Sequence, residues 1–208
     1  MTKTVFYLAI IVLGAVGGGA LVAPARAGKR VVGLDRFSPP HIFGSTHGET
    51  RIVRAAIGEG AVYSPFALRN FELLDQLGEE TGATLQDRCG LLVLGGTLPH
   101  ATHVPAGFVQ TTIEAARAHG IPHELVGADD VRRRFPAYAT FEGERAYYEP
   151  GAGMAFPERV VAAQIGRARA LGAEVRLNTP ALSLSASGEG VEVRTPEGPV
   201  LASRVILS

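Results

Sequence analysis

The sequence predicts an α/β fold that opens on a dinucleotide-binding βαβ unit, and three features near the amino terminus predict it. The apolar run from Val5 to Leu13 reads as a buried parallel strand. Gly14 and Gly17 then supply a turn into a short helix that reaches Gly28. Gly28-Lys29-Arg30 leads straight into Val31-Val32-Gly33-Leu34-Asp35, a second strand closed by an acid.

Composition narrows the partners. A chain of 208 residues, 46% of them hydrophobic and 19% charged, is globular and has the material for one sizeable core or one and a half. Twenty basic residues cancel twenty acidic ones, so no whole-molecule field draws it to nucleic acid or to an anionic membrane, and small molecules are the expected partners. The one cysteine, Cys89, excludes an intrachain disulfide and cannot build a zinc site by itself. That usage is compatible with a reducing, cytoplasmic location.

The first thirty residues carry a second reading. Lys3, the apolar run from Val5 to Val22 and the small-residue sequence Ala25-Arg26-Ala27 imitate a secretory signal with a cleavage site, which would make the protein an exported one. Cleavage there would remove the first strand. The βαβ reading explains more of the chain, and a transmembrane helix is disfavoured by the glycine cluster and by Pro24.

Downstream, helices and strands alternate. Ser64 caps and Pro65 starts a helix with Ala67, Phe71, Leu74 and Leu77 on its apolar face, and Gly82 ends it. Gly90 to Leu94 reads as a strand, Gly107 to His119 as a helix, and Ala128 to Phe135 as a shorter helix stopped by Pro136. Tyr147-Tyr148-Glu149-Pro150-Gly151 ends a strand in a turn, and Pro157 to Leu171 forms a helix ended by Gly172. Four strands follow, at Glu174 to Leu177, Ala181 to Ser185, Val191 to Thr195 and Val200 to Leu207, with Pro196-Glu197-Gly198 as a hairpin turn. No fixed-period repeat, low-complexity stretch or linker stands out. The run Val205-Ile206-Leu207-Ser208 stops inside an apolar strand, so a fragment of a longer protein is expected.

The candidate site lies between Val12 and Arg54. In the pattern Gly-x-Gly-x-x-Gly the three glycines permit the tight turn, the approach of the pyrophosphate and the packing of helix on strand. Gly14 and Gly17 match the last two, Val12 stands at the first, and Pro24 falls inside the helix. A valine at a position needing positive φ is strained and would impair cofactor binding, and a glycine turn without any ligand is the plain alternative. Asp35, 18 residues after Gly17, has the spacing of an acid that meets ribose hydroxyls, or it is a solvated strand end. Thr46-x-x-Glu49 is a capping-box pattern that predicts a short helix over Ile52 and Val53, with Arg51 and Arg54 on one face, either as two surface arginines or as a carboxylate site.

The wording of the sequence adds a resemblance. Asp35-Arg36-Phe37-Ser38-Pro39-Pro40-His41, Gly44-Ser45-Thr46-His47-Gly48-Glu49-Thr50-Arg51-Ile52-Val53-Arg54 and Gly58-Glu59-Gly60 closely resemble the family of monomeric sarcosine oxidase and N-methyltryptophan oxidase, flavoenzymes similar to D-amino-acid oxidase. Tyr63-x-Pro65, Leu68-Arg69, Cys89-Gly90-Leu91-Leu92-Val93, Tyr148-Glu149-Pro150-Gly151-Ala152-Gly153 and Phe156 extend the resemblance over nearly the whole chain. It implies a Rossmann-like FAD-binding βαβ unit of the glutathione-reductase type with part of a mixed α+β substrate domain. Residues 1–60 and 150–208 would form mainly the FAD-binding portion and 61–149 mainly the start of the substrate portion. It also implies FAD as cofactor, a small amino acid carrying an N-methyl or secondary amine as substrate, O2 as oxidant, hydrogen peroxide as product and a monomeric state. Carried over, Asp35 would hold the adenosine ribose, with Gly14 and Gly17 at the dinucleotide. Ser45, His47, Thr50 and Arg51 would lie against the flavin, Arg54 would pair with the substrate carboxylate, and Val175 would contact the adenine through its backbone. Family members are longer, so a second carboxylate-binding base and the cysteine that holds the flavin are absent from this stretch. Cys89 does not match that cysteine and reads as a small buried thiol in a strand. A non-catalytic remnant that binds no flavin is the alternative.

Two further groups are weak candidates. His100 and His103 are spaced for a shared metal but lack accompanying ligands, so no metal is expected. Asp129-Asp130 with Arg132-Arg133-Arg134 reads as a solvated helix face.

Overall fold

The computed structural model describes residues 5–95, 107–140, 143–188 and 190–208. The chain begins with β1 (Val5–Phe6), β2 (Leu8–Ile11), α1 (Ala15–Arg26) and β3 (Val31–Leu34). Then come β4 (Arg51–Val53), α2 (Ser64–Thr81), β5 (Gln86–Asp87), β6 (Leu91–Gly95), α3 (Phe108–Ala118), β7 (Glu124–Gly127) and α4 (Ala128–Arg134). It continues through β8 (Arg145–Glu149), β9 (Gly153–Ala155), α5 (Pro157–Ala170), β10 (Glu174–Arg176), β11 (Ser183–Ser187), β12 (Gly190–Thr195), β13 (Gly198–Ala202) and β14 (Val205–Leu207). His100 and His103 lie outside the described residues.

The chain divides into two units, the first made of 1–51, 75–85 and 156–208, the second of 52–74 and 86–155. In the first unit, β2, β3, β10 and β14 form a parallel sheet in the order β10-β3-β2-β14, with Ala9 opposite both Val32 and Val205 and with Val175 opposite Gly33. Strands buried on both faces need continuous apolar sequence, and β2 and β3 supply it. One face packs Ile10 and Val31 against Leu21, Val22 and Ala25 of α1 and Val161, Ile165 and Ala168 of α5. The other face packs Ala9, Val32 and Leu34 against Phe6, Val193, Val200 and Ala202, which belong to a second sheet in the order β1-β13-β12-β11. This is the mixed α/β arrangement of a Rossmann-like βαβ unit.

The second unit holds two three-stranded sheets, β4-β9-β5 and β6-β8-β7. Its core joins Ala55, Ala56, Phe71, Ile113, Ala116, Ile121 and Tyr147.

Several expectations are corrected. The segment from Thr46 to Arg54 forms no helix: Arg51–Val53 is extended, as the edge strand β4 beside β9. One turn of isolated helix is marginal, whereas a strand gains ladder bonds from a distant segment. The Thr46 hydroxyl faces the start of α1 and accepts a long, weak bond from the Ala15 N–H, at 3.4 Å. Cys89 is exposed, not buried. Gly90 turns the chain at φ +87°, in a place where a Cβ would lie 2.5 Å from the Tyr148 hydroxyl, and Cys89 falls outside the strand that starts at Leu91. The expected strands Val5 to Leu13 and Val200 to Leu207 each split in two, because β1 pairs with β13 while β2 pairs with β3 and β14. Pro24 lies inside α1, which runs to Arg26, as its place in the sequence implied. Among the described residues no helix is long and apolar enough to cross a membrane.

Candidate functional site

The glycine turn links β2 to α1. Val12 sits at φ +73°, the left-handed region that an L-residue with a branched side chain strongly disfavours, and it is 44% exposed. Its N–H donates to the Leu34 carbonyl at 2.9 Å. A Cβ on Gly17 would lie 1.9 Å from the Val12 carbonyl oxygen, so only glycine lets α1 close onto the turn.

Helix α1 begins at Gly14 without a side-chain cap and without an acid in its first turn. The positive end of its dipole therefore faces a groove of about 310 Å3, whose walls include Val12, Gly14, Val16, Pro40, His41 and Ser45. This arrangement fits the pyrophosphate of a dinucleotide. It brings Gly14 and Ser45 of the expected site to one groove, while Gly17 packs against the Val12 carbonyl behind it.

Asp35 is 3% exposed. Its Oδ2 accepts the Leu13 N–H at 2.7 Å and its Oδ1 the Phe37 N–H at 2.8 Å, while His41 Nε2 stands 3.8 Å from Oδ1. In this structure the carboxylate ties the glycine turn to the end of β3. Each oxygen keeps a further lone pair for a hydroxyl donor. Val175 lies on the neighbouring edge strand β10, opposite Gly33.

The loop carrying Ser45, His47 and Thr50 is pinned from two sides. Arg51 curls back, donating from Nη1 to the Thr50 carbonyl and from Nη2 to the Ser45 carbonyl, both at 3.0 Å. Glu158, in the first turn of α5, takes the N–H groups of Gly48 and Glu49 on one oxygen, at 2.7 and 3.2 Å. Its own backbone N–H, and then those of Glu49 and Gly48, hold the Glu158 carboxyl below the usual carboxylate value. Gly48 and Glu49 both have positive φ, which turns their amides toward that one acceptor.

Arg54 belongs to the second unit. Its Nη2 contacts both Glu59 oxygens, at 2.6 and 2.5 Å, and its guanidinium lies 5.2 Å from the Phe108 ring centre. Burial works to raise the Glu59 carboxyl, but its own backbone N–H and Arg54 outweigh it and leave it lowered. Both groups line a cavity of about 540 Å3 whose other walls include Ile52, Ile57, Phe66 and Phe71. Behind Arg54, the buried Glu149 accepts the Ala55 N–H at 2.7 Å, the Ala56 N–H at 3.2 Å and the Tyr147 hydroxyl at 2.7 Å. Burial, and then Glu149, push the Tyr147 phenol far above its ordinary value, so it stays a donor.

Glu149 and Glu158 were not singled out as site residues in sequence. The available signal for Glu149 is an acid that follows the aromatic pair Tyr147-Tyr148 and precedes Pro150. For Glu158 it was only an acid in a helix's first turn, which is a generic feature. Among the described residues no group of three metal-ligating side chains occurs.

The chain belongs to the FAD dependent oxidoreductase family, whose model matches residues 9–208. Monomeric sarcosine oxidase of Bacillus sp. (strain B-0618) is 35% identical over 206 residues, covering 99% of this chain and 51% of that protein. N-methyl-L-tryptophan oxidase of Yersinia pestis (strain Pestoides F) is 32% identical over 201 residues, covering 97% and 52%. In fold, the chain is similar to the open form of NikD, described as an unusual amino acid oxidase essential for nikkomycin biosynthesis. The TM-score there is 0.82 at 23% identity, over 99% of this chain and 51% of that one. L-proline dehydrogenase from P. horikoshii matches with a TM-score of 0.82 at 22% identity, over 99% and 53%. The chain thus spans about half the length of the relatives it matches.

Proposed function

We propose that the protein acts in the FAD-dependent oxidation of an N-methyl or secondary amino acid of the sarcosine or N-methyltryptophan type, with O2 as oxidant and hydrogen peroxide as product. The observation that carries this reading is Arg54, a guanidinium lining an apolar-walled cavity and held there by a partner that a ligand carboxylate can replace. A planar guanidinium binds a carboxylate at two points and keeps its charge at every relevant pH.

When bound, FAD supplies the two-electron acceptor for the carbon–nitrogen bond and passes the electrons to oxygen. The chain's own residues bind and orient. The N-terminus of α1 with Gly14 and Gly17 would hold the pyrophosphate, Asp35 the ribose and the backbone at Val175 the adenine. Ser45, His47, Thr50 and Arg51 would form the flavin wall, with Arg51 adding positive charge where negative charge develops. We assign residues 1–60 and 150–208 mainly to cofactor binding and 61–149 mainly to the substrate side. A cytoplasmic location accords with the lone cysteine, and a monomeric state is what the family resemblance implies.

A second reading, a non-catalytic chain that holds no flavin, rests on the left-handed Val12. One experiment separates the two: FAD titration of the purified chain by flavin fluorescence, and a peroxide assay with sarcosine and N-methyltryptophan on the protein expressed whole from the completed reading frame, because the chain spans about half the length of its relatives. Saturable quenching and peroxide release support the oxidase. Quenching that never saturates, together with no peroxide, would overturn it in favour of the second reading.

A further inference from the structure

We propose that Glu149 is a positioning residue for Arg54: its buried carboxylate anchors the backbone directly behind the arginine, so that the guanidinium is exchangeable while its base is fixed. The inference rests on the reading of Arg54 as the carboxylate-binding group.

Strand β4 ends at Val53, so its ladder does not reach the amides of Ala55 and Ala56. Both residues are buried in the core of the second unit, where an amide without a partner is costly. Glu149 supplies the partner from 94 and 93 residues away in the chain, and it is 1% exposed. A carboxylate at that depth needs donors on both oxygens, and it has three: the two amides and the Tyr147 hydroxyl. A glutamine cannot replace it, because its amide nitrogen would face a donor wherever it pointed.

The arginine's head is treated in the opposite way. Its partner Glu59 is 57% exposed at the side chain, five residues away, and Phe108 offers only a ring face. Arg54 is only 19% exposed, so the exchange opens from the Glu59 side, whose carboxylate can turn out into water. A fixed base with an exchangeable head allows a ligand carboxylate to displace Glu59 without reorganising the segment from Val53 to Ile57, which lowers the cost of binding.

The test compares the wild-type chain with Glu149→Gln, Glu149→Asp, Tyr147→Phe and Arg54→Lys. It uses hydrogen exchange across residues 52–58 and calorimetric titration with sarcosine, both without added FAD. Glu149→Gln is expected to lose protection at Ala55 and Ala56 and to bind sarcosine roughly tenfold more weakly. Glu149→Asp keeps the charge and shortens the reach, so a smaller loss in the same place is expected, and it serves if the glutamine variant does not fold. Tyr147→Phe removes a buried hydrogen bond but leaves both amides paired, and is expected to melt earlier while keeping protection and sarcosine affinity. Equal weakening by Tyr147→Phe and Glu149→Gln would mean a purely structural role and would overturn the proposal, as would unchanged affinity once the amides are unprotected. Unchanged affinity in Arg54→Lys alone would remove the carboxylate clamp itself, a distinct failure that overturns both readings.

Discussion

A methyl group placed on Gly17 would sit 1.9 Å from the Val12 carbonyl oxygen. The two residues therefore determine each other: the turn at Val12 comes close because Gly17 has no side chain, and α1 starts where it does because Val12 adopts φ +73°. The strain falls on the valine.

Val12→Gly is accordingly expected to stabilise the chain by about 1 kcal/mol, the relief of a left-handed L-residue less the extra chain entropy of glycine. A melting temperature a few degrees higher, with tighter FAD binding by fluorescence titration, is the expected result. An unchanged melting temperature would show that the valine carries no strain.

Asp35→Asn converts one of two backbone acceptors into a donor facing a donor. Leu13 N–H or Phe37 N–H then loses its partner, at a cost of about 1–3 kcal/mol. Chemical denaturation measures this, and a variant as stable as the wild type would show that the carboxylate does not staple the turn.

Glu80 joins Arg26 of α1 and Arg167 of α5, at 2.9 and 2.7 Å, and Gln76 at 2.9 Å. The Arg26 bond, and then Arg167, hold its carboxyl below the ordinary 4.5 despite desolvation. A lowered folded value means the stabilisation is complete above the unfolded value and is lost as pH falls through the folded one. Glu80→Gln should therefore cost about 1 kcal/mol at neutral pH, with the difference from wild type shrinking below about pH 4. A difference that stays constant across that range would contradict the assignment.

Glu59→Gln removes the charge that competes for Arg54. Sarcosine should bind several-fold more tightly to this variant, as read by calorimetry, whereas weaker binding would make Glu59 part of the ligand site and not its competitor.

Local signals made much of this fold legible. Ser64-Pro65 marked the start of α2, the hairpin turn ahead of Gly198 appeared between β12 and β13, and the acid closing β3 was visible from its spacing to Gly17. What sequence misjudged were features decided by distant partners. The capping-box pattern at Thr46 is as good locally as many real caps, but β9 lies a hundred residues downstream and its pairing decides β4. The same holds for the site. Glycines and arginines announce themselves by spacing, whereas Glu149 and Glu158 act on amides about 94 and 110 residues away, and nothing in their neighbours reports it.

The pairing of Ala9 with Val205 also has a consequence in time. During synthesis at about 5–20 residues per second, β2 waits roughly 10–40 s for its β14 neighbour to be made. Through that interval an apolar strand offers one unpaired edge to whatever else is nearby, which makes it a natural client for a chaperone and a point at which slow translation would lower the yield of folded protein.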